Sequence, residues 1–169
     1  MINPDYVRTM ARYNSWQNAQ LMPVLTSMYD AELTKNRGAF FGSILATANH
    51  LLWGDTIWMS RFDPSVEKPA VGIPDSGAMH VTVGAWSAAR FQLDGKIRFW
   101  AQGLRALDLR GDLHWYSGAL ERDVRKPIGL CIAHMFNHQT HHRGQIHAML
   151  TASGAKAPVS DLFAMPEES

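Results

Sequence analysis

Apolar residues recur along the chain at helical rather than alternating intervals over four long stretches. From Pro4 to Tyr29, the side chains of Tyr6, Met10, Tyr13, Leu21, Leu25 and Met28 keep roughly the spacing of one helix face. Pro4 suits a first turn, where a missing amide costs nothing, and Pro23 predicts a kink or a nearby break. A polar loop, DAELTKNRG, follows. The second stretch, Phe41 to Phe62, is strongly apolar through Ile44, Leu45, Ala48, Leu51, Leu52, Ile57, Trp58 and Phe62. Ser43 stands near its start and Asp63-Pro64 stops it. Between Ser65 and Val83, Pro69, Pro74 and several glycines predict a long crossover loop, a connection that lets a bundle depart from simple up-down order.

The third helix runs from about Ala85 to Leu107 on Trp86, Phe91, Leu93, Ile97, Trp100 and Leu104. Short alternations around Leu113–Tyr116 and Leu120–Val124 predict two brief strands or irregular extended pieces. Pro127 opens the fourth helix, which ends near Gly154, a residue suited to a left-handed cap. The tail, APVSDLFAMPEES, reads as an extended arm that packs Leu162 and Phe163. The expected fold is all-α: one domain over residues 1–169, an antiparallel four-helix bundle. It carries a long loop between the second and third helices and a short extended segment before the fourth.

Composition narrows the function classes. Apolar residues make up 46% and charged residues 18%, ordinary for a folded globular chain. Sixteen Lys and Arg against fifteen Asp and Glu leave a net charge of +1. No strong field recruits nucleic acid or anionic lipid, so neither nucleic acid nor membrane is expected as a partner. The opening residues are too polar for a secretory signal, and nothing approaches the roughly 20 apolar residues of a membrane span. The single Cys131 excludes an internal disulfide and fits a reducing compartment, so a cytoplasmic location is expected.

Candidate chemistry concentrates in NHQTHHRGQIH, Asn137 to His147, which holds four of the eight histidines. At about 100° per residue, His134 and His142 lie about 40° to either side of His138, and Cys131, Gln145 and Met149 within about 20° of it. By the same arithmetic His141 sits about 60° off, at the stripe's edge, and His147 about 180° away. Arg143, about 140° from His138, reads as an outward or interface contact, and Gln145 as an inward residue able to orient a ligand ring. Histidines at i and i+4 project together, as metalloproteases use to hold zinc from one helix.

A third ligand should come from a facing helix, and the second helix offers His50. Its neighbours one turn away, Ala46 and Gly54, are small and leave room beside the ring. Asp55 points well away from His50 and ranks below the histidines. Three inward imidazoles without a carboxylate partner would each cost roughly 1–3 kcal/mol to bury, a cost that a divalent cation relieves. His50, His138 and His142 are therefore the candidate metal ligands, with His134 as the chief alternative. His80, His114, His141 and His147 read as loop, surface or supporting residues. Cys131 lies too far along the helix to share the ion and reads as a buried thiol; Trp16 and Trp53 are candidates to line a pocket.

The chain resembles the DinB family, the DinB/YfiT-like metalloenzyme group. The resemblance spans nearly the whole chain and rests on RYNSWQN (Arg12–Asn18), GSILATANHLLWGDTIWMSRF (Gly42–Phe62) and HMFNHQTHHRGQIHAML (His134–Leu150). It implies a four-helix bundle, His50, His138 and His142 as ligands, and a homodimer; the family's name records damage-inducible expression. Relatives in the superfamily imply a metal-dependent transferase acting on a low-molecular-weight thiol, such as bacillithiol or mycothiol, and a small electrophilic substrate. Imidazole suits several divalent ions, zinc and nickel foremost here. A protein that holds a metal or small ligand without turnover, a metal-dependent hydrolase and a purely structural bundle are the competing readings.

Overall fold

The computed structural model describes residues 2–167. Four long helices carry the fold: α1 (Pro4–Thr26), α3 (Ile44–Phe62), α4 (Val83–Gly103) and α5 (Ile128–Ala152). A five-residue helix, α2 (Asp30–Thr34), occupies what reads as plain loop in the sequence. Side-chain caps set three of the long starts: Asn3 accepts from Tyr6, Ser43 from Ala46 and Thr82 from Ala85. Pro23 falls in the last turn of α1, where the helix is already ending, so it neither breaks nor displaces the element. Gly154, with φ of 80°, terminates α5 in the left-handed region.

One expectation about connections is met in its two-strand form and another changes. Residues 112–127 form an antiparallel hairpin, β1 (Asp112–Ser117) paired with β2 (Arg122–Pro127), with Trp115 opposite Val124. The alternation in this segment is therefore a true two-stranded sheet. The segment after α3 is not simple loop either, because Ile73–Ala78 winds into a 3-10 turn laid on α3. Nor is it the connection that crosses the bundle. Helix α1 packs mainly on α4 and α3 mainly on α5, with lesser α3–α4 and α1–α5 faces. The links from α1 to α3 and from α4 through the hairpin to α5 therefore cross the diagonals.

Packing explains which helix faces turn inward. Along α1, Val7, Ala11, Asn14, Asn18, Leu21 and Leu25 are all buried, a stripe at intervals of three and four. On α4 the buried stripe is Trp86, Arg90, Leu93, Asp94, Ile97 and Ala101. Phe91 is not part of it: the side chain is 71% exposed, so apolar content misassigns that position. Trp86 donates its indole N–H to the Ala48 carbonyl at 3.0 Å, which pins α4 to α3. Apolar layers above and below include Leu25, Leu33, Ile44, Leu52, Met59, Ile97, Ile132, Phe136 and Ile146.

The middle of the bundle is polar and charged. Arg90, 1% exposed, donates to Asp55 at 2.6 Å and to Asp94 at 2.7 Å. Asp55 also accepts from Gln139 of α5 at 2.9 Å, and Asp94 accepts from Asn18 of α1 at 3.0 and 3.1 Å. Asn14 donates weakly to Asp94 and accepts from Arg143. One network thus ties all four long helices. The tail runs along α1 by its backbone: the carbonyls of Val159, Ser160 and Pro166 accept from Gln17, Tyr13 and Arg12. Leu162 is only half covered and Phe163 is 90% exposed, because main-chain carbonyls rather than the arm's own side chains fix it.

Removing one partner of a buried ion pair strands the others without water. Arg90→Met should therefore lower unfolding stability by about 3–5 kcal/mol in urea titration. A loss below about 1 kcal/mol would mean that Asp55 and Asp94 carry no charge in the folded core.

Candidate metal centre

His50 stands in the middle of α3, and His138 and His142 lie one turn apart on α5, where those two helices share their main face. One ring nitrogen from each lies within 4.8 Å of the others, and the Nε2 atoms of His50 and His138 are 3.2 Å apart. Two nitrogens on a tetrahedral zinc, each about 2.0–2.1 Å from the ion, stand about 3.3 Å apart, so this separation suits a shared ion. His50 is 8% and His142 6% exposed, and His138 is half-buried.

Hydrogen bonds set the tautomers of two rings. Ser76 spends its hydroxyl proton on the Ile73 carbonyl at 2.7 Å, so its oxygen accepts from His50 Nδ1 at 2.8 Å. His142 Nδ1 donates to Gln145 Oε1 at 2.8 Å, while the Gln145 amide donates to His141 Nε2 at 3.2 Å. With Nδ1 protonated, both His50 and His142 present a bare Nε2 lone pair. His138 Nδ1 is buried and has no hydrogen-bond partner among the described residues. Lone pairs therefore converge where at most one ring proton can separate them, an arrangement that suits a cation.

The surroundings hold this arrangement. Phe41 stacks on His50 at 3.9 Å between ring centroids, and Trp53 lies nearly parallel to the same ring at 5.8 Å. Trp53 is itself tied to the Val71 carbonyl at 2.8 Å. Asn49, beside His50, donates to the Gly77 and His80 carbonyls and accepts from His80 N–H, clamping the turn that carries Ser76. Gly54 is required for space: a Cβ there would lie 2.5 Å from His138 Cε1. Burial, then the neighbouring imidazoles, push His138 down to about 3 and His50 to about 4; burial also lowers His142. All three rings are neutral ligands near neutral pH.

The three histidines singled out from spacing are thus brought together. His134 is not among them: the ring is exposed, packs 5.1 Å from Trp58 and stands 6.1 Å from His138. Asp55 points away from His50 on α3, as helical geometry suggests, and is buried in the Arg90 network. Arg143 overturns its sequence reading, because its flank of α5 meets α1 rather than solvent and the side chain is only 9% exposed. Cys131 is a buried free thiol, and Gln145 orients His142. Trp53 lines the centre, whereas Trp16 packs beside Tyr13. Sequence reasoning missed Phe41, Asn49 and Ser76, since contacts made by a loop and a 3-10 turn leave no periodic signal.

The sequence model of the DinB family matches residues 1–168. The chain belongs to the DinB family. Two solved structures share its fold. YfiT from Bacillus subtilis, described as a probable metal-dependent hydrolase with an unusual four-helix bundle topology, aligns with a TM-score of 0.67 at 15% identity, covering 92% of each chain. A DinB-like protein from Bacillus cereus aligns with a TM-score of 0.64, also at 15% identity, over 87% of this chain and 90% of the other. No curated protein matches the sequence. Among the described residues no helix is long and apolar enough to cross a membrane.

The depressed imidazoles predict a pH signature in metal-free protein. His50 and His138 should stay neutral to below about pH 5, read from their ring-proton resonances, since an ordinary histidine titrates near 6.5. Between pH 6.5 and about 4 the unfolded chain binds more protons at these positions than the folded one. Their contribution to stability is therefore present above 6.5 and lost as pH falls through that window. Midpoints near 6.5 for both rings would contradict the buried, converging geometry.

Proposed function

We propose that this DinB-family protein binds one divalent ion, zinc or nickel, through His50, His138 and His142 and is a metal-dependent enzyme. The observation that carries the reading is the convergence of neutral imidazoles whose far nitrogens are held by Ser76 and Gln145. Three protein ligands match catalytic rather than structural zinc sites, which use four. The ion, when bound, supplies positive charge that favours the deprotonated form of a thiol or water beside it.

Thiol transfer is the preferred reaction. The gathered group contains imidazoles alone, and the nearest buried carboxylate, Asp55, is committed to Arg90 and Gln139. A low-molecular-weight thiol is far more acidic than water and can give its proton to solvent without a carboxylate base; its sulfur would then bond to an electrophilic substrate carbon as that carbon's bond to its leaving group breaks. Hydrolysis is the second reading, supported by the description of YfiT. It asks for a group to take the proton from water, and His134, whose ring stands 6.1 Å from that of His138, is a candidate base.

Protein purified without a histidine tag should carry close to one equivalent of metal. His138→Ala should weaken binding by more than about 100-fold, beyond the effect of altering a supporting residue. Gly54→Ala tests the geometry separately. Alanine favours a helix by about 1 kcal/mol over glycine, yet the added methyl would displace His138. Metal affinity should fall while stability holds or rises. Cobalt-substituted protein should change its visible spectrum on addition of bacillithiol or mycothiol; an unchanged spectrum with turnover of ester or amide substrates would favour hydrolysis.

A further inference from the structure

A half-open cavity of about 270 Å³ lies on the other flank of α5, between that helix, α1 and the C-terminal segment. Arg143 and His147 reach it from α5, Tyr13 and Leu21 from α1, and Pro158 from the tail. By helical arithmetic Arg143 stands about 140° around α5 from His138, so the cavity does not belong to the histidine centre.

The guanidinium of Arg143 is held but not satisfied. Nη1 donates to Asn14 Oδ1, and the group lies over the Tyr13 ring, 5.6 Å from its centroid. Nη2 is buried and has no hydrogen-bond partner among the described residues. The closest carboxylates are already engaged, Asp55 by Arg90 and Gln139 and Asp94 by Arg90 and Asn18. Burial draws Arg143 down to about 10, which still leaves it charged at neutral pH. A buried charged donor without a partner, on a side chain that lines a cavity, is a costly arrangement unless something reaches it.

We propose that this cavity binds a small organic carboxylate, its charged end on Arg143 and its apolar body against Leu21, Pro158 and the Tyr13 ring. One cation with one free donor matches a single negative charge better than a phosphate, which would need several donors. His147, one turn after Arg143 on the same wall, adds a ring N–H. The volume falls just below the roughly 300–1,000 Å³ of drug-sized pockets, so the ligand is of about benzoate size rather than a nucleotide.

Benzoate, benzamide and inorganic phosphate are the probes, each titrated into the full-length ¹⁵N-labelled protein. Benzoate should give saturable amide shifts at Tyr13, Thr140, Arg143 and His147, and benzamide none. Gly144 lines the cavity, and a Cβ added there meets nothing within 4 Å. Gly144→Leu should therefore fold, keep its metal content and weaken benzoate binding by about tenfold or more as the added side chain takes up the space. Arg143→Met should abolish binding; if it does not fold, Gly144→Leu alone carries the test. Absence of saturable shifts at tens of millimolar benzoate would overturn the proposal and leave a cavity holding only water. Equal responses to benzamide, saturation by phosphate without benzoate, or unaltered binding in Gly144→Leu would each overturn it too. Because Gly144→Leu leaves the histidines untouched, its result is independent of the metal reading.

Discussion

Everything in this bundle turns on a salt bridge placed where a hydrophobic contact would be cheaper. Arg90 sits at the centre with Asp55 on one side and Asp94 on the other, each essentially without solvent. Such pairs contribute little net stability, because desolvation consumes most of the Coulomb attraction, but they tolerate only one arrangement of their partners. Here that arrangement spans four helices. Asn18 of α1 and Gln139 of α5 complete the carboxylates, so sliding any long helix would break a buried bond.

That constraint bears directly on the histidine centre. Gln139 follows His138 in the chain, and its bond to Asp55 holds the facing flanks of α3 and α5 in register one turn from where the imidazoles meet. The charged layer and the imidazole cluster are neighbouring solutions to the same problem, polar side chains inside a bundle. Opposite charges on Arg and Asp neutralise the first. The second is neutral already, since burial and mutual proximity keep protons off the rings. A group that is neutral, buried and rich in lone pairs accepts a cation at little desolvation cost, whereas a layer already paired does not.

Side chains from irregular segments finish what the helices begin. Ser76 reaches His50 from a 3-10 turn, and Phe41 covers the same ring from the loop before α3. Asn49 ties the turn to the helix that bears the ligand. The hairpin works similarly further out, where Trp115 of β1 meets Trp58, and Arg61 lies over both rings. Short connections thus shape the approach to the centre while long helices fix its position.

Helical periodicity and capping residues carried the long elements, since burial of one face at intervals of three and four is written directly into composition. The same arithmetic singled out His138 and His142 on one stripe and turned His147 away, and the room that Gly54 leaves is taken by the ring of His138. Periodicity is blind to which neighbour a face meets. Arg143 reads as outward on α5 alone, and only the packing of α1 against that flank buries it. Arg90 and Asp94 likewise lie on the apolar stripe of α4, where charge argues for solvent and partners on α1 and α3 decide otherwise. Phe91 shows the converse, an apolar residue left exposed because no helix covers its side. Which residues are chemically able to bind a metal was therefore a property of the sequence. That three of them bring ring nitrogens to one place was decided by tertiary packing, because Ser76 and Gln145 set the tautomers of His50 and His142 and Gly54 makes room for His138.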